Sequence, residues 1–174
     1  MTALRTAAGK RVLVLGWGNP GRRDDGLGPA FVERVRGLEL PGVESESAYQ
    51  LQVEHAGSVA EADVVVFVDA DISAPAPFRA RRLEPEGHPA FSTHALSPGS
   101  VLALAGELFD ARPEAVLVGV RGYEFDGFGE GLSEGATANL AAAAAWFAGE
   151  IEASSRPAPP AAEPCAGRVP AHHG

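Results

Sequence analysis

The sequence predicts an α/β fold, a three-layer sandwich in which helices flank a largely parallel, twisted central sheet. Three continuous apolar runs, at 11–16, 63–70 and 115–120, have the length and composition of strands that are buried on both faces. Segments in which apolar residues return at helical spacing lie between and after these runs. Strands that alternate with helices are typical of a parallel sheet covered by helices.

The elements of the first half follow in chain order. After the strand at 11–16, residues 27–38 predict a helix, and Pro29 fits its first turn. Residues 43–49 alternate in character and predict a half-buried strand. The second buried strand, at 63–70, completes this half.

The second half begins with residues 78–85, which alternate apolar with basic side chains and predict an edge strand. Residues 97–110 predict a helix with Ser97 as its N-cap and a proline in its first turn. The third buried strand follows. A long Ala-rich helix at 133–151, capped by Ser133, ends the folded part.

The length of 174 residues fits one domain with a sizeable core. We expect residues 1–10 to form an N-terminal extension and residues 11–152 to form the folded domain. From 153 to 174 the composition becomes rich in Pro and Ala with little to bury, which predicts a disordered tail.

Composition argues against several classes of function. A formal net charge of −9 makes the chain a poor binder of nucleic acid and of anionic membranes, because both are polyanions. The one cysteine, Cys165, excludes an internal disulfide and a cysteine-based zinc site, and it suits a cytoplasmic protein. The N-terminal apolar run is too short for a signal peptide, and no stretch approaches the roughly 20 apolar residues of a membrane helix.

The loop after the first strand, 16-GWGNPGRRDDGLG-28, combines glycines with two adjacent carboxylates. Its glycines resemble those of a dinucleotide-binding turn, which leaves a helix N-terminus free for pyrophosphate. Here Asp24 and Asp25 occupy that end and would repel a phosphate unless a cation intervened. One of the two can cap the following helix, which leaves the other available for a ligand.

Two further residues are expected at the same edge of the sheet. Asp69 closes the second buried strand, and parallel pairing would bring it beside the loop of Asp24 and Asp25. His94 lies just before a helix whose N-terminus faces this edge if the helix packs on the sheet. Two carboxylates and an imidazole suit zinc or nickel, although such residues in loops are commonly only solvated or capping. We expect Asp71 to point elsewhere or to lie in a loop.

These residues together resemble the nickel–iron hydrogenase maturation proteases. The resemblance rests on 16-GWGNPGRRDDGLG-28, 67-FVDA-70, His94 ahead of a helix, and 116-VLVGV-120. Members of that family remove a short C-terminal extension from the hydrogenase large subunit once nickel has been inserted. The resemblance covers roughly residues 11–150. It implies a hydrolase, an endopeptidase whose partner is the large-subunit precursor.

The resemblance also implies the roles of individual residues. The family's metal-contacting and catalytic positions fall on Asp25, Asp69 and His94. The nickel is supplied transiently by the substrate as a recognition element, and no organic cofactor is implied. Nickel could polarise the scissile carbonyl or activate water, or a carboxylate could act as general base, so metal-assisted and aspartic-type cleavage both stay open.

Further positions are expected to support or contact the substrate: Gly18, Asn19, Asp24 and Gln50. Asn19 is expected to fix the turn, and Asp24 to cap the helix or to support a ligand. Gln50, Leu51 and Glu54 resemble the Q-L-x-x-E variant of proteases that serve bidirectional, NAD-linked hydrogenases. The segment 121–135 resembles the family's closing loop, with a plain surface loop as the alternative. We expect a monomer.

Three other functions compete with this interpretation. Residues 16–21, GWGNPG, match the first motif of peptidyl-tRNA hydrolases, but the tyrosine and T-R-H-N segment of that family do not follow and the chain is acidic. A non-catalytic nickel-binding or regulatory module on the same fold would use the same three residues. A plain nucleotide-binding domain is disfavoured by the aspartate pair.

Overall fold

The computed structural model describes residue 4 and residues 9–87 and 96–155 of the chain. The strands of this part are β1 Val12–Trp17, β2 Val43–Ala48, β3 Val64–Asp71, β4 Phe78–Arg82 and β5 Glu114–Arg121. Its α-helices are α1 Leu27–Arg36, α2 His55–Glu61, α3 Pro98–Phe109 and α4 Glu134–Ser155. None of these helices is long and apolar enough to cross a membrane.

The strands form a five-stranded sheet in the order β2-β1-β3-β5-β4. Strand β1 pairs in parallel with β2 and β3, and β3 pairs in parallel with β5. Strand β4 is antiparallel to β5 and lies at the edge, as its alternation of apolar and basic residues predicts. The predicted α/β class with a largely parallel sheet is confirmed.

Alternation along the buried strands divides the core between the two faces of the sheet. On one face, even-numbered valines such as Val14 and Val66 pack with α1 and α4, whose Phe31 and Phe147 rings meet edge-on at 5.9 Å. On the other face, odd-numbered residues such as Phe67 pack with α2 and α3. Burying a side chain of this size contributes about 1.5–3 kcal/mol. The three-layer arrangement follows from both faces being apolar.

The helix caps predicted from sequence are present. The Ser97 hydroxyl accepts a hydrogen bond of 3.0 Å from the Ser100 N–H and so caps α3. The Ser133 hydroxyl accepts one of 3.2 Å from the Ala136 N–H at the start of α4. Helix α4 continues to Ser155, three residues into the segment expected to be a tail.

The parallel strands β1, β2, β3 and β5 all end at one edge of the sheet, which we call the carboxyl edge. Because α3 leads into the amino end of β5, it runs antiparallel to the strands and begins at the carboxyl edge. The Leu96 N–H, just before α3, donates a hydrogen bond of 3.2 Å to the carbonyl of Leu51, which follows β2. The predicted orientation of this helix is therefore confirmed.

Candidate active site

The loop after β1 uses its glycines for close packing. Gly18 has a φ of +140°, and a Cβ there would lie 1.9 Å from the carbonyl oxygen of Asp25. A Cβ on Gly28 would lie 2.2 Å from the carbonyl oxygen of Trp17. Side chains at either position would separate the loop from β1 or from α1. The resemblance of these glycines to a phosphate-binding turn thus has a packing explanation.

Asp25 lies in a short 3-10 turn, Arg23–Gly26, that leads into α1. Its Oδ2 accepts a hydrogen bond of 3.0 Å from the Asn19 N–H. The Asn19 Oδ1 in turn accepts one of 2.9 Å from the Gly21 N–H, so Asn19 fixes the turn as predicted. The Asp25 carboxylate is held in place while its side chain stays partly exposed at the carboxyl edge.

Asp69 lies near the end of β3, opposite Gly119 of β5. Burial raises the pKa of its carboxyl group, a hydrogen bond from the Ala70 N–H lowers it, and the charges of Asp25 and Asp71 raise it again. The result is a pKa of about 7, against an ordinary value of 3.8. The repulsion between Asp25 and Asp69 means that the two carboxylates share one region of the carboxyl edge, as their positions in the sequence predict.

The expectation that Asp71 points elsewhere is wrong. Strand alternation has a period of two, so Asp71 lies on the same face of β3 as Asp69. Its Oδ1 accepts hydrogen bonds from the Ser73 N–H and hydroxyl, both at 2.7 Å, and from the Ala74 N–H at 3.0 Å. Burial opposes its ionisation, but these bonds and the charge of Arg79 outweigh burial and lower its pKa. Asp71 therefore holds the turn after β3 and adds negative charge beside Asp69.

Asp24 does not cap α1, and this interpretation is also corrected. The N-cap of α1 is Gly26, without a side-chain hydrogen bond. The Asp24 side chain is fully buried, and its oxygens accept bonds of 2.7–2.9 Å from the N–H groups of Tyr123, Glu124 and Ser133. The Ser133 hydroxyl donates a further bond of 2.7 Å. Asp24 thus supports the segment 122–133, which we call the closing loop, and its buried carboxylate is not positioned to contact a substrate.

The hydrogen bonds to Asp24 also determine its ionisation. Burial alone would raise the pKa of the carboxyl group, but the three N–H groups and the hydroxyl together lower it below 3.8. Asp24 and Asp25 are neighbours in sequence with different environments, since one is enclosed by the closing loop and the other is partly exposed. The sequence provides no local signal for this difference, because the donors lie about a hundred residues away.

The segment after β2 separates into core and surface. Leu51 is 1% exposed and belongs to the core under α2 and α3, whereas Gln50 and Glu54 are exposed near the carboxyl edge. His55 is buried at the start of α2, where its Nδ1 accepts a hydrogen bond of 2.8 Å from the Gln52 N–H. Its Nε2 lies 3.8 Å from a Glu46 carboxylate oxygen. His55 has a structural role that sequence reasoning did not assign.

His94, the predicted third ligand, lies outside the described residues. Within residues 4, 9–87 and 96–155, no group of three or more His, Cys, Asp and Glu side chains is arranged to hold a metal ion. This part of the chain contributes Asp25 and Asp69 to the candidate site. Two carboxylates with one raised pKa can bind a cation or exchange a proton.

Solved structures of hydrogenase maturation proteases are similar to this fold. The NiFe hydrogenase maturation protease HycI from Thermococcus kodakarensis KOD1 has a TM-score of 0.61 at 28% identity, over 83% of this chain and 94% of that chain. The hydrogenase maturating endopeptidase HybD from E. coli has a TM-score of 0.65 at 26% identity, over 83% and 93%. An endopeptidase from Escherichia coli has a TM-score of 0.60 at 28% identity, over the same shares.

The chain shares the fold of these hydrogenase maturation proteases. No model of a protein family matches its sequence, and no curated protein matches it. The likeness therefore rests on the three-dimensional similarity, which extends over nearly the whole length of the HycI and HybD structures. Asp25 and Asp69, singled out from sequence, lie at the carboxyl edge of this family fold.

Proposed function

We propose that the protein is an endopeptidase that removes the C-terminal extension of a nickel–iron hydrogenase large subunit after nickel insertion. The observation that carries the proposal is the pair Asp25 and Asp69, whose charges interact at the carboxyl edge of a maturation-protease fold. The substrate class comes from the names of the similar structures, which are hydrogenase maturation proteases.

Nickel enters this proposal as part of the substrate. A carboxyl group with a pKa of about 7 near a second carboxylate is costly to ionise alone, and a divalent cation between the two would favour the ionised form. Asp25 and Asp69 would contact the nickel that the precursor carries. His94 is proposed as the third contact from the sequence alone. Nickel would then report that the precursor's metal site is complete.

Two chemical routes fit the two carboxylates. The nickel ion could polarise the scissile carbonyl or activate a water molecule. Alternatively, Asp69 could act as general base, because a pKa near neutrality suits a group that accepts and then returns a proton. Both routes lead to hydrolysis without a covalent intermediate.

We propose a partner of the bidirectional, NAD-linked type because Gln50, Leu51 and Glu54 resemble the Q-L-x-x-E variant. In the Q-L-x-x-E pattern, Leu51 is buried in the core. Gln50 and Glu54 are exposed near the carboxyl edge, where another protein could contact them. We propose that these two side chains contribute to the choice of hydrogenase.

The test is processing of a nickel-loaded precursor by matched aspartate variants. Asp25→Asn and Asp69→Asn should each abolish shortening of the precursor, measured by intact mass spectrometry, while circular dichroism stays unchanged. Asp63→Asn is the control, because Asp63 is exposed at the amino end of β3, where it accepts a bond from the Arg11 N–H. If Asp25→Asn and Asp69→Asn process as fast as Asp63→Asn, the assignment of the site is wrong. Nickel-dependent binding of wild-type protein without shortening would instead support the non-catalytic module.

A further inference from the structure

Phe128 is the most exposed large apolar side chain in the described part of the chain, at 91% exposure. It lies in the closing loop, after the carboxyl end of β5. An aromatic ring that is open to water contributes nothing to the stability of the domain. Single exposed apolar residues are common, so the surroundings of Phe128 decide whether its exposure has a meaning.

The backbone next to Phe128 is anchored on both sides to the loop that carries Asp25. The Gly129 N–H donates a hydrogen bond of 2.8 Å to the Gly21 carbonyl, and the Gly129 carbonyl accepts one of 3.0 Å from the Arg23 N–H. Nearby, the Asp24 N–H donates a bond of 3.0 Å to the Glu124 carbonyl. With the four bonds to the Asp24 carboxylate, these contacts give the closing loop a defined conformation. Phe128 is therefore presented from a preorganised backbone.

Other exposed apolar residues follow the ends of the neighbouring strands. Tyr49 follows β2 and is 67% exposed, Ile72 follows β3 and is 64% exposed, and Tyr123 follows β5 and is 47% exposed. All three lie at the carboxyl edge with Asp25, and together with Phe128 we call them the apolar rim. Phe128 is the most exposed of these four side chains.

The charge around Phe128 restricts the partner. The segment 121–135 contains four acidic residues and one basic residue. Glu124, Asp126 and Glu130 of the closing loop are exposed, and so are Arg22 and Arg23, which lie against Gly129. A complementary surface would combine an apolar pocket with both basic and acidic side chains around it.

We propose that the closing loop is the docking surface for the large-subunit precursor, with Phe128 inserted into an apolar pocket of the precursor that is bordered by charged residues of both signs. This inference rests on the proposed function and names the contact that brings substrate and site together. Gly129 is bonded to the loop that carries Asp25, so Phe128 lies on a segment adjacent to the candidate site. Preorganisation lowers the entropy cost of binding, and a few aromatic side chains commonly supply a large part of the binding energy of an interface.

The test compares Phe128→Ser with Phe109→Ser. Phe109 is 55% exposed at the C-terminal end of α3, on the opposite edge of the sheet, and serves as the matched control. Phe128→Ser should raise the KM for nickel-loaded precursor by about tenfold or more and leave kcat within about twofold, since the ring contributes to binding and not to the chemistry. Phe109→Ser should match the wild type. Equal KM values for the two variants would overturn the proposal.

Binding without turnover separates this inference from the proposed function. Sedimentation of mixtures would report whether the precursor associates with wild-type protein and with Phe128→Ser. Association that is lost only in Phe128→Ser supports the docking surface, whether or not the precursor is shortened. Association of the wild type without any shortening would contradict the protease but not the docking surface. Self-association of the protein alone that disappears in Phe128→Ser would overturn the proposal in favour of a second copy.

Discussion

Adjacent or nearby aspartates of this protein have opposite ionisation behaviour, and the cause is the number of donors around each carboxylate. Asp24 and Asp71 each accept several hydrogen bonds, which outweigh burial and lower their pKa values. Asp69 accepts one bond from the Ala70 N–H, so burial and the charges of Asp25 and Asp71 raise its pKa to about 7. The carboxylates with many donors hold loops, whereas the one with a single donor is the carboxylate for which we propose a chemical role.

Asp69→Asn should change the pH dependence of stability in metal-free protein. Because the folded-state pKa of about 7 exceeds the ordinary value of 3.8, the folded state binds more protons between these pH values. The free energy of unfolding of the wild type therefore falls as pH rises through this window. Asp69→Asn has no carboxyl group to ionise and does not lose stability in this way. The Tm of the variant minus the Tm of the wild type should therefore increase from pH 5 to pH 8 in the presence of a chelator.

Asp71→Asn is the matched control for that experiment, with the opposite sign. Its lowered pKa means that the ionised carboxylate stabilises the fold above pH 3.8 and that this contribution is lost as pH falls. Asp71→Asn should have a lower Tm than the wild type at pH 7, with the difference shrinking in acid. A Tm difference for Asp69→Asn that is constant from pH 5 to pH 8 would show that Asp69 titrates normally.

Gly18→Ala should displace the loop that carries Asp25. The φ of +140° disfavours alanine, and the added Cβ would lie 1.9 Å from the Asp25 carbonyl oxygen. We expect a loss of about 2 kcal/mol or more in the free energy of unfolding by urea, together with loss of precursor processing. Gly57→Ala is the control, since Gly57 lies in α2 with open space around its Cβ position and should gain slightly from alanine. Equal stability of the two variants would contradict the packing argument.

The order and type of most elements follow from patterns within the sequence. The buried strands are recognisable as continuous apolar runs, and the edge strand by the basic residues of 78-FRARR-82. Helix α2 was not predicted, because seven residues with Ala56 and Val59 as core contacts carry too little periodicity. The cap assigned to the aspartate pair was wrong because Asp24 is used by a distant segment.

The loop that carries Asp24 and Asp25 is hydrogen-bonded to the closing loop. Sequence patterns could not predict this connection. Asp24→Ala would leave three N–H groups of the closing loop without their acceptor. We expect a loss of about 2–4 kcal/mol in the free energy of unfolding, measured with urea. Asp126→Ala, an exposed residue of the same loop, should change it by less than about 0.5 kcal/mol. A loss for Asp24→Ala as small as that of Asp126→Ala would mean that the closing loop does not depend on Asp24.

The molecule as a whole places its candidate site and the proposed docking loop at the carboxyl edge of the sheet. The general rule for parallel sheets predicts this location, and so Asp25 and Asp69 could be chosen from sequence. The position of Phe128, the role of Asp24 and the raised pKa of Asp69 depend on packing between distant segments, and no local pattern encodes them. The contribution of His94 stays a prediction of the sequence.

The most direct measurement is intact mass spectrometry of the large-subunit precursor after incubation with the wild-type protein, with and without nickel in the precursor. We expect the nickel-loaded precursor to lose its C-terminal extension and the nickel-free precursor to keep its full mass, because we propose that the Asp25 and Asp69 carboxylates bind the precursor through its nickel. Equal shortening of both forms would contradict nickel as the recognition element. Full mass in both forms would contradict the endopeptidase itself.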